Sequence, residues 1–426
     1  MQSRGAQNGL RRVVYVLGRF GVSPKSIEDL LNKYVDATQL CGCLPTFPIT
    51  GVVLKRHPEL VRKLIKRGVE FAIHGYVHND YRKMGLVKQA NHIERAMDIF
   101  KQNGIPFVGF RAPYLRGNGE TLKALRQLGF LYDSSETLSW DVLNKNQFTT
   151  QAWREYENVI EYYTPRDAEK FLALPRIEEG IVEIPVSLPD DEALIDRLGI
   201  KSAKEIARIW CNIASSTYRR GELFVIQLHH ERISLVRSAL LAVLAQARRV
   251  KPPVWIAGLG EIARWWKEKQ GFSFEMTPLG SDKYRIKARC SERATILVNN
   301  CSVDDGIPWL SPDCWRTDKR EFVVEASRPP VIGVAPETAP AAVNFLKSEG
   351  FLVEKSREPR NAGIYFSDLT NFSIKDEKKL SEAVNNSPVP LIRFWRWPLG
   401  ARSALAVTGD IDSITLKDFL WRFFEV

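Results

Sequence analysis

Short apolar runs alternate with helical patterns over the first 270 residues of the chain, and this alternation restricts the fold more than any other feature. The runs at residues 70–73, 181–188 and 223–228 have the length of strands, and the segments between such runs carry apolar residues at helical spacing. Strand, helix and strand in this order indicate parallel β/α units. Active sites in such folds collect at the carboxyl ends of the strands, so the polar residues there are the first candidates for function.

Two histidines follow the first of these runs. His74 and His78 are four residues apart, which puts both imidazoles on one side of the backbone and lets them bind one divalent cation. Zinc commonly takes a carboxylate with such a pair and leaves one position open for water. An apolar strand near the other end of the chain leads into Asp410 and Asp412. These acids point to the same side, so one can bind metal while the other acts as a base.

Length and composition limit the possible classes of protein. The length of 426 residues predicts two or three domains, and a share of 44% apolar residues is enough to form their hydrophobic cores. The net charge of +11 favours anionic partners, but the basic residues are spread along the chain without a nucleic-acid motif, so we expect no nucleic-acid partner. No apolar run has the length of a membrane span, and the one at residues 13–17 is too short for a signal-peptide core. We therefore expect a cytoplasmic protein, in which the six cysteines are reduced and mostly buried.

The pattern divides the chain into four segments. Residues 1–270 form the β/α part, and residues 271–330 alternate apolar and polar positions as a small antiparallel β module does. Residues 331–397 return to strand and helix, which predicts a small α/β module, and residues 398–426 carry one further strand and helix. Residues 144–180 are polar and irregular, and we interpret them as an insertion or a substrate loop.

Three motifs together resemble those of a known family. They are His74-Gly-Tyr-Val-His78, Arg111-Ala-Pro-Tyr114 and Leu228-His229. In this order they are similar to the second, third and fifth motifs of the polysaccharide deacetylases, the NodB-homology proteins of carbohydrate esterase family four. The resemblance covers roughly residues 10–270 and 400–426.

The first motif of that family, Thr-Phe-Asp-Asp, should precede the paired histidines. Its nearest match is instead Thr408-Gly409-Asp410-Ile411-Asp412. The chain thus resembles a circularly permuted deacetylase whose first strand has moved to the carboxyl end. The implied fold is α/β: a distorted (β/α) barrel of the deacetylase type with an inserted β module and a small α/β module. Two departures from the motif stand out: Ile411 separates the acids, and Gly409 replaces an aromatic residue.

The chemistry of amide hydrolysis and the resemblance give the site residues their roles. His74, His78 and Asp412 would bind the metal, zinc by default. Asp410 would be the base that deprotonates the attacking water, with Arg111 keeping that carboxylate ionised.

Further residues are assigned around this centre. By resemblance, the backbone N–H of Tyr114 would help to stabilise the tetrahedral oxyanion. His229 would be the general acid, with a pKa raised by Asp190 or Asp191. Trp140 is a candidate for the acyl pocket, whereas His230 has no role that can be carried over.

The predicted function is removal of N-acetyl groups from an amino sugar in a glycan or glycolipid precursor. Two alternatives remain open: an allantoinase-like C–N hydrolase acting on a small molecule, and a catalytically inactive glycan-binding protein. The oligomeric state is not determined by the sequence.

The carboxyl-terminal tail carries a helical apolar stripe. Its members are Leu416, Phe419, Leu420, Phe423 and Phe424. The stripe suits either peripheral contact with a membrane surface or packing in the core. We favour the core, because a strand followed by an amphipathic helix is the unit that the barrel lacks.

Overall fold

The structure is a computed structural model that describes residues 24–280 and 282–421. The side chains described are those of residues 25–280 and 282–418. The apolar run at residues 13–17 and most of the predicted tail stripe, including Phe423 and Phe424, lie outside these ranges. Within them, no helix is long and apolar enough to cross a membrane.

Most helices of the described chain belong to the β/α part. In chain order they are α1 (Pro24–Gln39), α2 (Gly51–Arg56), α3 (Pro58–Ile65), α4 (Leu86–Gln102), α5 (Gly119–Gln127), α6 (Thr150–Tyr163), α7 (Ala203–Arg220), α8 (Ile233–Arg249), α9 (Leu259–Lys269), α10 (Pro340–Ser348), α11 (Glu377–Asn385) and α12 (Leu416–Trp421). Local sequence explains several of their ends. Asn118 accepts hydrogen bonds from the first turn of α5 in a capping box, and Gly221 ends α7 with a φ of 68°.

The strands are short and fall into five sheets. In chain order they are β1 (Thr46–Ile49), β2 (Glu70–Ile73), β3 (Gly109–Phe110), β4 (Tyr132–Asp133), β5 (Thr137–Ser139), β6 (Arg166–Asp167), β7 (Arg176–Glu178), β8 (Ile181–Glu183), β9 (Val186–Leu188), β10 (Leu223–Gln227), β11 (Val254–Ile256), β12 (Ser273–Gly280), β13 (Lys283–Arg289), β14 (Ile296–Asn299), β15 (Ser302–Val303), β16 (Ile307–Pro308), β17 (Cys314–Thr317), β18 (Glu321–Glu325), β19 (Ile332–Val334), β20 (Val353–Lys355), β21 (Ile364–Phe366), β22 (Leu391–Phe394) and β23 (Ser403–Thr408).

The largest sheet runs in the order β10, β23, β1, β2, β3, β4, β8, β7, and β11 also pairs with β23. Its pairs are parallel except for β7 with β8. The pairings of the described residues run from β10 to β7 without closing, so the protein has an α/β fold with a curled half-barrel sheet rather than a closed barrel. This arrangement is consistent with the polysaccharide deacetylase fold.

The carboxyl-terminal strand β23 lies inside this sheet. It pairs with β10 over five residues, from Ala404 beside Leu223 to Thr408 beside Gln227, and it meets β1 where Thr408 lies beside Thr46. All six residues of β23 are buried, as expected for a central parallel strand. The prediction that this strand lies parallel between strands of the amino-terminal half is confirmed.

The helix α12, which follows β23, is attached to the start of the β/α part. Asp418 is buried and accepts hydrogen bonds from the N–H groups of Ile414 and Thr415. Its carboxylate also lies 2.9 Å from His57 Nε2 and 3.1 Å from Arg56 Nη1. The described part of the tail is therefore held against the junction of α2 and α3.

Residues 273–394 form three smaller sheets, and their pairing differs from the predicted segments. The antiparallel sheets have the orders β12, β13, β18, β15 and β16, β17, β14, β22, and a parallel sheet has the order β20, β19, β21. Strand β22 pairs with β14, although the sequence placed it in the α/β segment 331–397. Hydrogen bonds between strands therefore cross the predicted boundary at residue 330.

Two parts of the β/α region also differ from expectation. Residues 144–180 are not an irregular loop, because they contain α6, β6 and β7. The single strand expected at residues 181–188 divides into β8, in the large sheet, and β9, which joins β5 and β6 in a small sheet.

Candidate active site

Polar residues from four strands meet at the carboxyl edge of the large sheet. His74 follows β2, Arg111 follows β3, His229 follows β10 and Asp410 follows β23. These strands are parallel members of one sheet, with β1 between β23 and β2. Their carboxyl ends therefore lie along the same edge, and the side chains beyond them converge on one region.

Two histidines and one carboxylate form a group that can hold a metal ion. His74 Nε2 lies 3.3 Å from Asp412 Oδ1, and His78 Nε2 lies 3.3 Å from Asp412 Oδ2. One donor atom from each of the three residues lies within 4.8 Å of the others. Two ligands held about 2.1 Å from a zinc ion at a tetrahedral angle are about 3.4 Å apart, so the donor set fits such an ion.

The hydrogen bond on the far side of His74 orients the ring for ligation. His74 Nδ1 lies 2.8 Å from the carbonyl oxygen of Arg111, which only accepts, so Nδ1 carries the proton and donates. In the neutral ring Nε2 is then unprotonated, as a metal ligand must be. Nε2 is buried and makes no hydrogen bond to any described residue, which also suits a metal ligand.

The second acid, Asp410, is held on both of its oxygens. Arg111 Nη1 donates to Oδ1 at 2.9 Å, and Gln227 Nε2 donates to Oδ2 at 3.0 Å. Asp410 Oδ2 also lies 3.9 Å from His74 Nε2. Only 5% of Asp410 is exposed, so its position is fixed beside the metal-binding group without being part of it.

Arg111 is fully buried, and its guanidinium is held by groups from three strands. Nη1 donates to Thr408 Oγ1 as well as to Asp410, while Nε and Nη2 donate to the carbonyl and hydroxyl oxygens of Ser134. A buried cation is tolerated when it is paired and hydrogen-bonded in this way. The arrangement keeps a positive charge next to Asp410.

His229 lies against a buried carboxylate. Asp191 Oδ1 is 2.7 Å from His229 Nδ1, and Asp191 Oδ2 accepts from the His229 backbone N–H at 2.8 Å. Burial lowers the pKa of His229, but the charge and hydrogen bond of Asp191 outweigh burial and raise that pKa to about 10. The imidazole is therefore cationic near neutral pH and can donate a proton from Nε2.

The two candidate partners of His229 have different positions. Asp190 Oδ1 accepts from the backbone N–H of Ala193 at the start of a π-helical turn, so it serves as a cap. Burial and the neighbouring charge of Asp191 raise the pKa of Asp190 to about 7. Asp191 rather than Asp190 is thus the residue that the geometry places on His229.

Tyr114 lies at the exposed side of the group. Its ring meets that of His78 edge to face at 4.2 Å between centroids, and 40% of the residue is exposed. Tyr114 and Leu115 have φ angles of 63° and 54°, in the left-handed region that non-glycine residues rarely adopt. Such strain commonly accompanies functional sites, where it fixes a backbone N–H in a needed direction.

Two further residues from the sequence analysis, Trp140 and His230, are both buried. Trp140 is buried, and its ring lies 5.2 Å from the guanidinium of Arg220, which ends α7 just before β10 begins. The backbone N–H of Trp140 donates to the carbonyl of Leu188, two residues before Asp190, and the place of Trp140 at an acyl pocket stays a prediction. His230 is buried, with Nδ1 3.5 Å from Glu231 Oε2.

Close packing explains the glycine in the acidic motif. A Cβ atom at Gly409 would lie 2.5 Å from the carbonyl oxygen of Leu228 and 2.9 Å from Cε1 of Tyr34. An aromatic residue therefore cannot replace Gly409 here without displacing β10 or α1.

Sequence reasoning missed the residues that hold Asp410 and Arg111. Gln227 is the last residue of β10, directly opposite Thr408 in the register, and this pairing aims its amide at Asp410. Ser134 follows β4 at the same sheet edge. A systematic reading of every polar residue at a strand's carboxyl end would have included both.

The fold and the group define an α/β protein with a candidate metal centre at the carboxyl edge of its sheet. Residues 24–132 match the polysaccharide deacetylase family model. The matched range contains His74, His78 and Arg111, while His229 and the acids Asp410 and Asp412 lie beyond it.

Curated relatives and a solved structure extend this finding. The chain is 27% identical over 128 residues to the peptidoglycan deacetylase-like protein FGM2 of Gibberella zeae, and 26% identical over 196 residues to a bifunctional xylanase/deacetylase of Pseudobutyrivibrio xylanivorans. These matches cover 30% and 44% of this chain and 32% and 30% of the relatives, so the chain spans about a third of the relatives' length. A crystal structure assigned to a polysaccharide deacetylase of Mycobacterium smegmatis aligns with 22% identity and a TM-score of 0.42, over 55% of this chain and 76% of that chain.

Proposed function

We propose that the protein is a metal-dependent hydrolase that removes N-acetyl groups from an amino sugar in a glycan or glycolipid precursor. The observation that carries this proposal is the arrangement of His74, His78 and Asp412 around one point, with the separately held acid Asp410 beside them. The family match over residues 24–132 supports the same class of reaction.

The residues would divide the work of amide hydrolysis. His74, His78 and Asp412 would hold a divalent ion, zinc by default for this donor set, which would supply Lewis-acid activation of water and of the acetamide carbonyl. Asp410 would accept the proton of the attacking water, since the hydrogen bonds from Arg111 and Gln227 fix its orientation. The backbone N–H of Tyr114 is the candidate donor to the developing oxyanion.

The departing amine needs a proton, and we assign its supply to His229. The contact with Asp191 keeps the imidazole protonated at neutral pH and occupies Nδ1, so the proton that is transferred is the one on Nε2. Base and acid thus come from different strands, β23 and β10, which are direct neighbours in the sheet.

We also propose that the chain is a circularly permuted deacetylase. Supporting this, β23 occupies the central position between β10 and β1 and delivers both acids, although it comes last in the sequence. Residues 271–397 would then be the inserted region that returns the chain to the sheet.

The experiment is an acetate-release assay on the metal-loaded protein. N-acetylhexosamine oligomers, sugar nucleotides and lipid-linked N-acetyl sugars are offered in parallel, with allantoin as the small-molecule amide. We expect acetate from at least one amino sugar, released at least about 100-fold more slowly by the Asp410→Asn variant. Turnover of allantoin alone would move the substrate to small amides, and inertness toward all of them would favour a glycan-binding role.

A further inference from the structure

A cavity separate from the candidate active site lies between the β/α part and the segment that carries α10. Its volume is about 860 Å³, within the range of pockets that hold small organic ligands. The walls come from residues 172–178, from the end of α9, from β12 and from the turn after α10. None of its lining residues belongs to the candidate active site, so the cavity is a separate feature of the molecule.

A buried amine faces this cavity without a hydrogen-bond partner. Only 7% of Lys269 is exposed, and its Nζ makes no hydrogen bond to any residue between 24 and 280 or between 282 and 421. The ring of Trp266 lies 4.2 Å from Nζ and favours the cation, but it leaves the N–H donors unsatisfied. Burying an ammonium group in this state is unfavourable, so a ligand that accepts from Nζ would bind favourably.

The buried carboxylate of the cavity lining, Glu349, is already paired with two arginines. Arg393 and Arg396 are each 1% exposed and share a single carboxylate, that of Glu349, which is 2% exposed. Arg396 Nε donates to Glu349 Oε1 at 2.9 Å, and Arg393 Nη2 lies 3.3 Å from Glu349 Oε2. Lys269 and Glu349 line the cavity, whereas the two arginines lie outside its lining. Because the arginines pair with Glu349, that carboxylate does not satisfy Lys269, and an anion in the cavity could.

The other charged groups of the lining form no ion pair with Lys269 among the described side chains. Arg176 is neutralised by Glu178 at 2.9 Å, and Lys347 is exposed. Burial raises the pKa of Glu377 to about 7, so this acid is only about half ionised near neutral pH. Burial, together with the two arginines, also lowers the pKa of Lys269 to about 7, and an incoming anion would reverse that shift.

Aromatic rings form the apolar side of the same cavity. Phe274 stacks on Phe394 with 3.9 Å between centroids, and Trp266 completes this side next to Lys269. Flat apolar surfaces of this kind pack well against a sugar ring or a planar base. We propose that the cavity binds a small organic anion whose carboxylate or phosphate contacts Lys269 and whose ring lies against these aromatic side chains.

Calorimetric titration of the full chain tests this site without relying on catalysis. The probes are glucuronic acid, glucose 6-phosphate and uridine 5′-monophosphate, with neutral glucose for comparison. We expect saturable binding of at least one anion at one site per chain and no binding of glucose, and the anion that binds distinguishes carboxylate from phosphate recognition. In Lys269→Met the affinity should fall by at least about tenfold, since a hydrogen bond to a charged group is lost.

Lys267→Met is the matched control, because Lys267 lies on the same helix but donates to the Gly180 carbonyl at the surface. This variant should bind the anion as the wild type does. Lys269→Gln, a second variant, decides the matter if Lys269→Met does not fold. Equal affinity in the wild type and in the folded Lys269 variant, equal binding of glucose, or no binding of any anion would overturn the proposal.

Discussion

At the scale of single residues, Asp410 and Asp412 differ in their contacts although they lie two positions apart. Asp410 is held by Arg111 and Gln227, while Asp412 faces the two histidines. An acid fixed by a cation and an amide is arranged to accept a proton, and an acid between two imidazole nitrogens is arranged to bind metal. This difference supports the roles that we propose for the two acids.

The Asp410→Asn variant tests the role of the base. The substitution keeps the size of the side chain and an oxygen for Arg111, so we expect metal content equal to that of the wild type. Turnover should fall by about 10²–10⁴-fold, the usual contribution of a general base. Metal analysis and acetate release on one preparation measure both. Loss of metal together with activity would show that Asp410 is itself a ligand.

The ion pair of His229 with Asp191 predicts a pH dependence. His229 has a pKa raised to about 10 from an ordinary value of 6.5, so the stabilisation by this pair is complete below about 6.5 and is lost as the pH rises through about 10. In Asp191→Asn the main effects that oppose burial are removed, and only the smaller effect of Glu231 still raises the pKa of His229. We expect the alkaline limb of the kcat profile to move to lower pH.

Imidazole NMR titration of His229 in the same variant measures that pKa directly. Glu192→Gln is the control, because Glu192 pairs with Arg197. An unchanged pKa and an unchanged alkaline limb in Asp191→Asn would contradict the assignment of His229 as the acid tuned by Asp191.

Sequence could predict that the candidate metal ligands come together because each follows an apolar strand. Parallel strands share an edge, so His74 and Asp412 had to meet if both strands entered one sheet. Gln227 and Ser134 could not be assigned roles in this way, because their contacts depend on which strands are neighbours. The position of Trp140 depends in turn on a small sheet that the sequence did not reveal.

At the scale of elements, the turn after β23 is set by close packing. Gly409 leaves no room for a side chain between the Leu228 carbonyl and the ring of Tyr34. We expect Gly409→Ala to destabilise the protein by about 1–3 kcal/mol, the usual cost of overpacking, and to reduce turnover by displacing Asp410. Chemical denaturation and acetate release measure the two effects.

Gly119→Ala is the control for this prediction, since a Cβ atom there has open space within 4 Å. That variant should keep its stability and activity. If Gly409→Ala were as stable and as active as the wild type, the turn would have more freedom than its contacts indicate.

Strand and helix patterns predicted most elements of the β/α part, and the exceptions have physical causes. Helix α6 was missed although Tyr156, Val159 and Tyr163 are buried at helical spacing behind the capping residue Thr149. Its many charged residues hid that stripe. The division of residues 181–188 into two strands comes from pairing with different sheets, which local pattern does not contain.

At the scale of the whole molecule, the account requires the two ends of the chain to form one sheet. A chain ending at residue 400 lacks β23 and both acids, and it exposes the edges of β10 and β1. We expect this chain to be poorly soluble, metal-free and inactive, as judged by sedimentation, metal analysis and acetate release.

A full-length double variant, Asp410→Asn with Asp412→Asn, separates loss of the strand from loss of the acids. It should remain soluble but should lack metal and activity. If the shortened chain instead folded, bound zinc and released acetate, the carboxyl-terminal acids would not belong to the active site.

Zinc titration of the metal-stripped protein tests the central claim most directly. We predict one equivalent of zinc for the wild type and an affinity at least about 100-fold weaker for Asp412→Ala, because a ligand is removed from the set that includes His74 and His78. Asp305→Ala, which removes an exposed carboxylate that pairs with Lys319, should bind zinc as the wild type does. Wild-type affinity in Asp412→Ala would contradict the claim that an acid from the last strand completes a metal centre built by the first half of the chain.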